Sequence, residues 1–482
     1  MPDRAAASSL GEALRRTGYT EDAVADLLDD EDAENPTVGE RRLPPTPLGT
    51  AVRAFFLQLP VSRRDAVRAL GTKAVDALAA TGLAEVADEV VPYVRIIPID
   101  SLLVASDDFP PDKGENPPDY VAAYTPTSQL CESLTPRARV DRALDIGTGS
   151  GVQALLAARH ARHVIATDVN ERALAYTQLN AALNGLTNVE CRMGSLFEPV
   201  GGERFDLITS NAPYVISPEN RWIFRDAGFE GDELSERVVR EAAEHLTDGG
   251  FATLLVSWIA RDEDDPDERP FEWTEPTGCD AWILPIWETD ALGHAAIWND
   301  YLVDRPDELR GALDRWTEYL ERLGARHVSE GAIVLHKRQS RRNTVRVDSV
   351  DEDELTEAGD QIRRAFTARA RLAELRRAGE LLDEKLALAA PLLLEHEVEP
   401  RRGQSPRVQT RLEIGEGTHS VVEVSRRVLE LLESLDGNGT LGELVQATAV
   451  RLDLSAEERS RLEREVVKVA RELLELGALS FA

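Results

Sequence analysis

Three glycines at alternate positions close the run Ala143-Leu144-Asp145-Ile146-Gly147-Thr148-Gly149-Ser150-Gly151. An apolar strand that breaks into such a turn and then enters a helical segment, Val152 to Arg162, lets backbone approach a ligand closely, because no Cβ stands in the way. An ordinary tight strand-to-helix turn looks similar, so the turn needs a companion. The next apolar run, His163-Val164-Ile165-Ala166-Thr167-Asp168, supplies one. It ends in a carboxylate about 20 residues past the glycines, where the second strand of a doubly wound sheet presents an acid to a ribose diol. Together the two predict a parallel α/β domain that holds a nucleotide-like cofactor.

A third element narrows the cofactor. After a further helix and strand, the buried run Arg204-Phe205-Asp206-Leu207-Ile208-Thr209-Ser210 ends in Asn211-Ala212-Pro213-Tyr214. Here the sequence resembles the class I S-adenosylmethionine (SAM) dependent methyltransferases, in the amino-methylating branch whose fourth strand ends in Asn-Pro-Pro-Tyr. That branch holds the release-factor glutamine methyltransferases and the adenine-N6 and guanine-N2 methyltransferases. The likeness runs from about Tyr124 to Ser257 in the family's order, and Gly231-Asp232-Glu233-Leu234 with the Asp248-Gly249-Gly250-Phe251 turn looks most like the glutamine subgroup. Ala212 stands where the family has its first proline, which keeps a carbonyl but gives up loop rigidity.

The resemblance implies a Rossmann-like, seven-stranded α/β domain with SAM as cofactor and no metal. It places Asp145, Gly147, Thr148, Gly149 and Gly151 in the cofactor turn, Asp168 at the ribose, Ser195 and Leu196 beside the adenine, and Val169 and Asn211 also among the cofactor-binding residues. Asp145 either orients the glycine loop or reaches the cofactor's amino group. Thr127, in Tyr124-Thr125-Pro126-Thr127-Ser128-Gln129, is expected at the methionine carboxylate or, equally, as a plain helix cap. In the acceptor loop, the Asn211 side-chain oxygen and the Ala212 carbonyl would accept the two N–H groups of an amide or aromatic amine, Tyr214 would stack on it, and Pro213 would fix the turn. His245, His294 and His327 lack partner motifs and are expected outside the chemistry. Two acceptors stay open, a protein or peptide glutamine, slightly favoured, and an RNA or DNA base. A third reading is an inactive SAM-binding scaffold.

At 482 residues the chain exceeds one core. It divides by pattern into an N-terminal part (1–108), the methyltransferase domain (109–346) and a C-terminal part (347–482). In the first, a helix-like segment Leu10 to Leu28 precedes the acidic Asp29-Asp30-Glu31-Asp32. Short helices follow at Leu48 to Leu57, Arg63 to Leu70 and Lys73 to Thr81, then β-like runs at Tyr93 to Pro98 and Leu102 to Ala105, the outline of a winged helix. A linker at Phe109 to Asp119, an acidic insert at Arg261 to Arg269 and a tryptophan-rich stretch with Trp273, Trp282, Trp287 and Trp298 belong to the middle. Past Val347, charged helices over Glu354 to Leu394, a polar break at Glu399 to Pro406 and helices over Val424–Leu435, Leu441–Ala449 and Ala456–Leu476 predict a mainly helical end. It weakly resembles small winged-helix modules. With 87 acidic against 55 basic residues, the net charge of -32 repels phosphate backbones, so nucleic-acid binding needs a local basic patch. Three scattered cysteines and the lack of a leading signal or membrane-length apolar run lead us to expect a cytoplasmic protein.

Overall fold

The computed structural model describes residues 3–29, 35–107, 116–122, 124–226, 228–261, 265–339, 343–375, 377–399 and 407–482. Most of the acidic run after Asp29, the first part of the linker, the middle of the acidic insert (262–264) and residues 400–406 of the polar break lie outside them. The chain divides into two compact units, Met1–Cys131 with Ala138–Thr277 and Trp287–Ile333, and Glu132–Arg137 with Gly278–Ile286 and Val334–Ala482.

In the first unit, the expected helix from Leu10 to Leu28 is two helices, α1 (Arg4–Arg16) and α2 (Glu21–Ala25). Gly18, at φ +82°, turns the chain out of α1, and the Thr20 hydroxyl then caps α2. There follow α3 (Pro36–Arg42), α4 (Pro47–Ala51, continued by a π turn, Val52–Phe56), β1 (Val61–Ser62), α5 (Arg63–Leu70), α6 (Thr72–Thr81), β2 (Ala84–Val86) and β3 (Glu89–Pro92). The three strands form an antiparallel sheet in the order β1-β3-β2. The β-like runs expected at Tyr93 to Pro98 and Leu102 to Ala105 do pair with each other, as the antiparallel hairpin β4 (Arg95–Ile99) and β5 (Leu102–Ser106). The β2–β3 hairpin before it is additional: its strands are short and half exposed, with Glu85, Asp88 and Glu89 interrupting any apolar run.

The region of the glycine turn opens with α7 (Pro126–Leu134) and then alternates β6 (Val140–Ile146), α8 (Val152–Ala157), β7 (Ala161–Asp168), α9 (Glu171–Leu183), β8 (Val189–Met193), β9 (Phe205–Ser210), α10 (Glu233–His245) and β10 (Leu246–Ala260). After α11 (Glu268–Thr274) come β11 (Cys279–Asp290), α12 (Ala291–Trp298), α13 (Pro306–Arg322), β12 (His327–Lys337) and β13 (Val345–Val347). One sheet runs β13-β11-β12-β10-β9-β6-β7-β8, the seven expected strands plus the short edge strand β13. The β6–β7, β7–β8, β6–β9 and β9–β10 pairs are parallel, and their near-continuous apolar cores, such as Ala143 to Ile146 and Val164 to Ala166, suit strands covered on both faces. From β6 the chain goes to β7 on one side and later to β9 on the other. The crevice at the C-terminal ends of these strands is where open α/β sheets bind ligands.

One hydrophobic core joins α1 to β5 with α9: Leu10, Leu14, Phe55, Val75, Ile96 and Ala105 pack in one cluster with Tyr176, Leu179 and Leu183. Gly11 makes this approach possible, because a Cβ there would lie 2.0 Å from the Leu183 carbonyl oxygen.

In the second unit, α14 (Gly359–Glu374) is followed by β14 (Lys385–Leu388), β15 (Leu392–Glu399), β16 (Arg407–Ile414), β17 (Val421–Val424), α15 (Arg426–Leu432), β18 (Asp436–Thr440), α16 (Leu441–Arg451), α17 (Ala456–Glu475) and β19 (Leu479–Phe481). The charged helices expected to reach Leu394 therefore end at Glu374. Residues 385–394 alternate too little to mark a period, and β14 takes its pairing from the remote strands β18 and β19. The expected turn Gly437-Asn438-Gly439 lies inside β18. Helices α16 and α17 start where Thr440 and Ser455 form capping boxes with Glu443 and Glu458.

Candidate active site

The glycine turn is braced from within. Gly147, Gly149 and Gly151 have φ of +66°, +55° and +91°, a region L side chains rarely adopt. Asp145, 2% exposed at the end of β6, accepts from the Thr148 hydroxyl (2.7 Å) and the Ala154 amide (3.1 Å) at Oδ2 and from the Thr209 hydroxyl (3.0 Å) at Oδ1. These bonds tie Asp145 to the turn itself and to the neighbouring strand β9. Burial pushes its carboxyl up to about 6, against the pull of those three donors.

Asp168 ends β7 and reaches back across the turn. Its Oδ2 accepts from the Gly149 amide at 3.0 Å and its Oδ1 from the Asn170 amide at 2.8 Å, while burial raises its carboxyl above the ordinary range. Asn170, next along, caps α9. Along that helix the Thr177 hydroxyl donates to the Gly149 carbonyl (3.0 Å), and Asn180 Nδ2 donates to the Ser150 carbonyl (2.8 Å) and to Ala105 of β5 (2.8 Å). Thr177, Asn180 and Thr209 escaped the sequence reading, since nothing local separates them from ordinary polar residues.

Around this turn the structure gathers the other donor-side residues. Val169 is 48% exposed directly after Asp168, and the Gly194 amide donates to the Asp168 carbonyl, bringing Ser195 and Leu196 alongside. Leu196 holds φ +47° and is buried. A Cβ on Gly149 would meet nothing within 4 Å, so the turn faces open space there. A carboxylate at a strand end, a bare glycine backbone and an exposed apolar side chain beside a buried leucine suit the ribose, the chain and the flat base of SAM respectively. The residues present fit that cofactor.

The acceptor loop lies against the turn. A Cβ on Gly147 would come within 3.1 Å of Ala212 Cα, so the first glycine and the second loop residue are in contact distance. Thr127, in the first turn of α7, accepts from Asn211 Nδ2 at 3.3 Å and bonds Thr125 at 3.0 Å. With the amide nitrogen on Thr127, Asn211 turns its Oδ1 elsewhere as an acceptor. Pro213 is half-buried. Tyr214 is 8% exposed, bridges Asp226 through its backbone, and its carbonyl accepts a hydrogen bond from the Ser257 hydroxyl. Among the described residues no cluster of His, Cys, Asp and Glu could hold a metal ion, and no helix is long and apolar enough to cross a membrane.

Beyond the loop, residues 217–226 fold around Asp226, which accepts from the amides of Arg221 and Trp222 and pairs with the buried Arg225. The α12–α13 insert between β11 and β12 supports this segment: Trp298 O accepts from Arg225, and Tyr319 OH from the Gly231 amide. Asp232, read from sequence as part of a subgroup signature, is buried and takes hydrogen bonds from Arg269 and the Ile259 amide, a structural post for α10.

Residues 125–259 match the family described as methyltransferase small domain, and residues 16–94 match a domain of unknown function (DUF7059). The ribosomal protein uL3 glutamine methyltransferase of Bradyrhizobium diazoefficiens is 39% identical over 169 residues, 31% of this chain and 52% of that protein. The release factor glutamine methyltransferase of Xylella fastidiosa is 39% identical over 129 residues, 24% of this chain and 47% of that protein. The chain thus spans about half the length of the curated relatives it matches. Among solved structures, a methyltransferase from Pyrococcus furiosus aligns with a TM-score of 0.30 at 20% identity, over 49% of this chain and 89% of that one. With strand order, glycine turn and strand-end acid in place, residues 125–259 match the methyltransferase small domain family and form a class I SAM-dependent methyltransferase domain.

Proposed function

We propose that the protein transfers a methyl group from SAM to the side-chain amide nitrogen of a glutamine in a protein acceptor. The contact between the Gly147 turn and the Asn211-Ala212 loop carries this reading, because it brings a donor cradle and an amide-binding loop to one crevice. The names of the relatives, which act on a ribosomal protein and on release factors, favour a translation protein as acceptor. The net charge of -32 favours protein over nucleic acid.

When bound, SAM supplies a methyl already activated by its sulfonium charge. The protein's task is alignment. Asp168 would hold the ribose hydroxyls, and Val169 and Leu196 would line the pocket for the base. Asn211 Oδ1 and the Ala212 carbonyl accept the two amide N–H groups, turning the nitrogen lone pair toward the methyl. These acceptors strengthen as the nitrogen becomes tetrahedral, so they favour the transition state over the bound amide.

The test incubates the protein with methyl-labelled SAM and, separately, ribosomal proteins, release factors and RNA. Label on a glutamine side chain, located by peptide mass spectrometry and lost in Asn211→Ala, is the expected result. Label in RNA alone, or none in any fraction, overturns the proposal.

A further inference from the structure

Two residues past Tyr214, the acceptor loop is gripped from the α12–α13 insert. His294, on α12 and 1% exposed, places Nε2 3.0 Å from the Ile216 carbonyl oxygen. A carbonyl only accepts, so Nε2 carries the proton. The neutral ring then presents the lone pair of Nδ1 to Glu330 Oε1, 3.6 Å away on β12. The same Oε1 accepts from Trp298 Nε1 at 3.2 Å, and the Glu330 side chain is 14% exposed. A bare carboxylate facing a lone pair repels it. A proton held by Glu330 removes the conflict and locks the ring with Nε2–H on Ile216.

Burial drives both groups toward their neutral forms, Glu330 up to about 7 and His294 down to about 4. The charged group facing the imidazole from the acceptor segment is Arg225, which adds to the lowering of His294 and is itself paired with Asp226 and Glu219. From α12 and α13 the rings of Trp298 and Trp316 lie against the imidazole, with centroids at 6.4 and 5.7 Å.

We infer that His294 and Glu330 are positioning residues for methyl transfer: His294 fixes the Ile216 carbonyl, and with it the loop that carries Asn211 and Tyr214, while Glu330 sets the tautomer that makes this bond. The inference rests on the proposed glutamine methylation, and the experiment separates the two. His294→Ala, His294→Gln and Glu330→Gln are compared with wild type by hydrogen exchange of the 211–217 segment, by SAM affinity, and by kcat from about pH 6 to 9. In His294→Ala, exchange should accelerate and kcat fall about tenfold at unchanged SAM Kd. His294→Gln, whose amide can donate to Ile216, should restore both. The wild-type kcat should decline above about pH 7, and Glu330→Gln should lose that limb. Unchanged exchange and kcat in His294→Ala, no recovery in a folded His294→Gln, or a wild-type pH limb in Glu330→Gln would each overturn the inference. Should His294→Ala not fold, the other two variants decide. A wild type that methylates nothing overturns the proposed function, while the exchange measurements still judge the His294 contact.

Discussion

The two halves of the crevice are held in opposite ways. On the donor side several braces are close in sequence: Thr148 and Ala154 bond Asp145 three and nine residues away and Gly149 bonds Asp168 at a separation of 19, while Thr177, Asn180 and Thr209 add bonds across 28, 30 and 64 residues. On the acceptor side they come from far along the chain. Thr127 reaches Asn211 across 84 residues, His294 reaches Ile216 across 78, and Ser257 reaches Tyr214 across 43. A donor cradle of this kind is fixed by a short turn and its flanking strands. The Asn211–Tyr214 loop and the residues after it, with Ala212 in place of a proline, take their bonds from the domain around them.

The sharpest way to break this division is Asn211→Ala. If Asn211 serves only the acceptor, the variant should keep its SAM affinity and lose kcat on the order of a hundredfold, the usual cost of removing one transition-state hydrogen-bonding group. Calorimetry and initial rates together check it. A parallel loss of SAM binding would place Asn211 in the donor half.

Asp145 tests whether the donor half is braced by a buried charge. Its carboxyl sits at about 6, against an ordinary 3.8, so between these values the folded state binds more protons than the unfolded one. Stability contributed by the proton is present below 3.8 and is lost as pH rises through about 6. Asp145→Asn never ionises, and its Oδ1 can take the Thr148 and Ala154 donors while the Thr209 hydroxyl rotates to accept. Relative to this variant, wild type should lose roughly 3 kcal/mol between about pH 4 and 7, a shift of about two pKa units. Denaturant melts at several pH values would show it, and a difference independent of pH would remove the buried charge from the account.

Asp168→Ala should weaken SAM binding by about 1–3 kcal/mol, the range for hydrogen bonds to a charged group, with kcat at saturating SAM far less affected. Unchanged calorimetric affinity would take Asp168 out of the site.

The same contrast governs what could be read from sequence. Gly147 to Gly151 and Asp168 declare themselves because positive φ and a strand-end acid are local demands. Asn211 to Tyr214 could be found as a motif. Their supports could not: Ser257 lies in an apolar strand like any buried serine, and His294 had no partner motif because Ile216 and Glu330 meet it only after folding. Elsewhere the misses share this cause. The β2–β3 hairpin is short and half polar, and β14 exists because β18 and β19 pair with it, so an apolar period predicts neither. Gly18, at φ +82°, splits the expected first helix, a break that a lone glycine marks only weakly in sequence.

Thr127 gives the smallest effect and decides which half it serves. The sequence offers its hydroxyl either to the methionine carboxylate of the cofactor or, equally, to a helix cap; the cap is Thr125, and the Thr127 hydroxyl, half-buried, accepts from Asn211 Nδ2 at 3.3 Å and bonds Thr125 at 3.0 Å. A single neutral hydrogen bond of this kind contributes about 0.5–1.5 kcal/mol, or about two- to tenfold. If Thr127 orients Asn211, Thr127→Ala should lower kcat by that factor at constant SAM Kd, because the freed amide can rotate and lose the facing of its Oδ1. If it holds the donor, the same factor should appear in the SAM Kd and leave kcat at saturation unchanged. Thr127→Ser, which keeps the oxygen, should recover whichever constant moved. A change in neither constant would leave Thr127 as an ordinary residue of the first turn of α7, which the Thr125 hydroxyl caps at the Ser128 amide, and assign the facing of Asn211 to the contact between Gly147 and Ala212 alone.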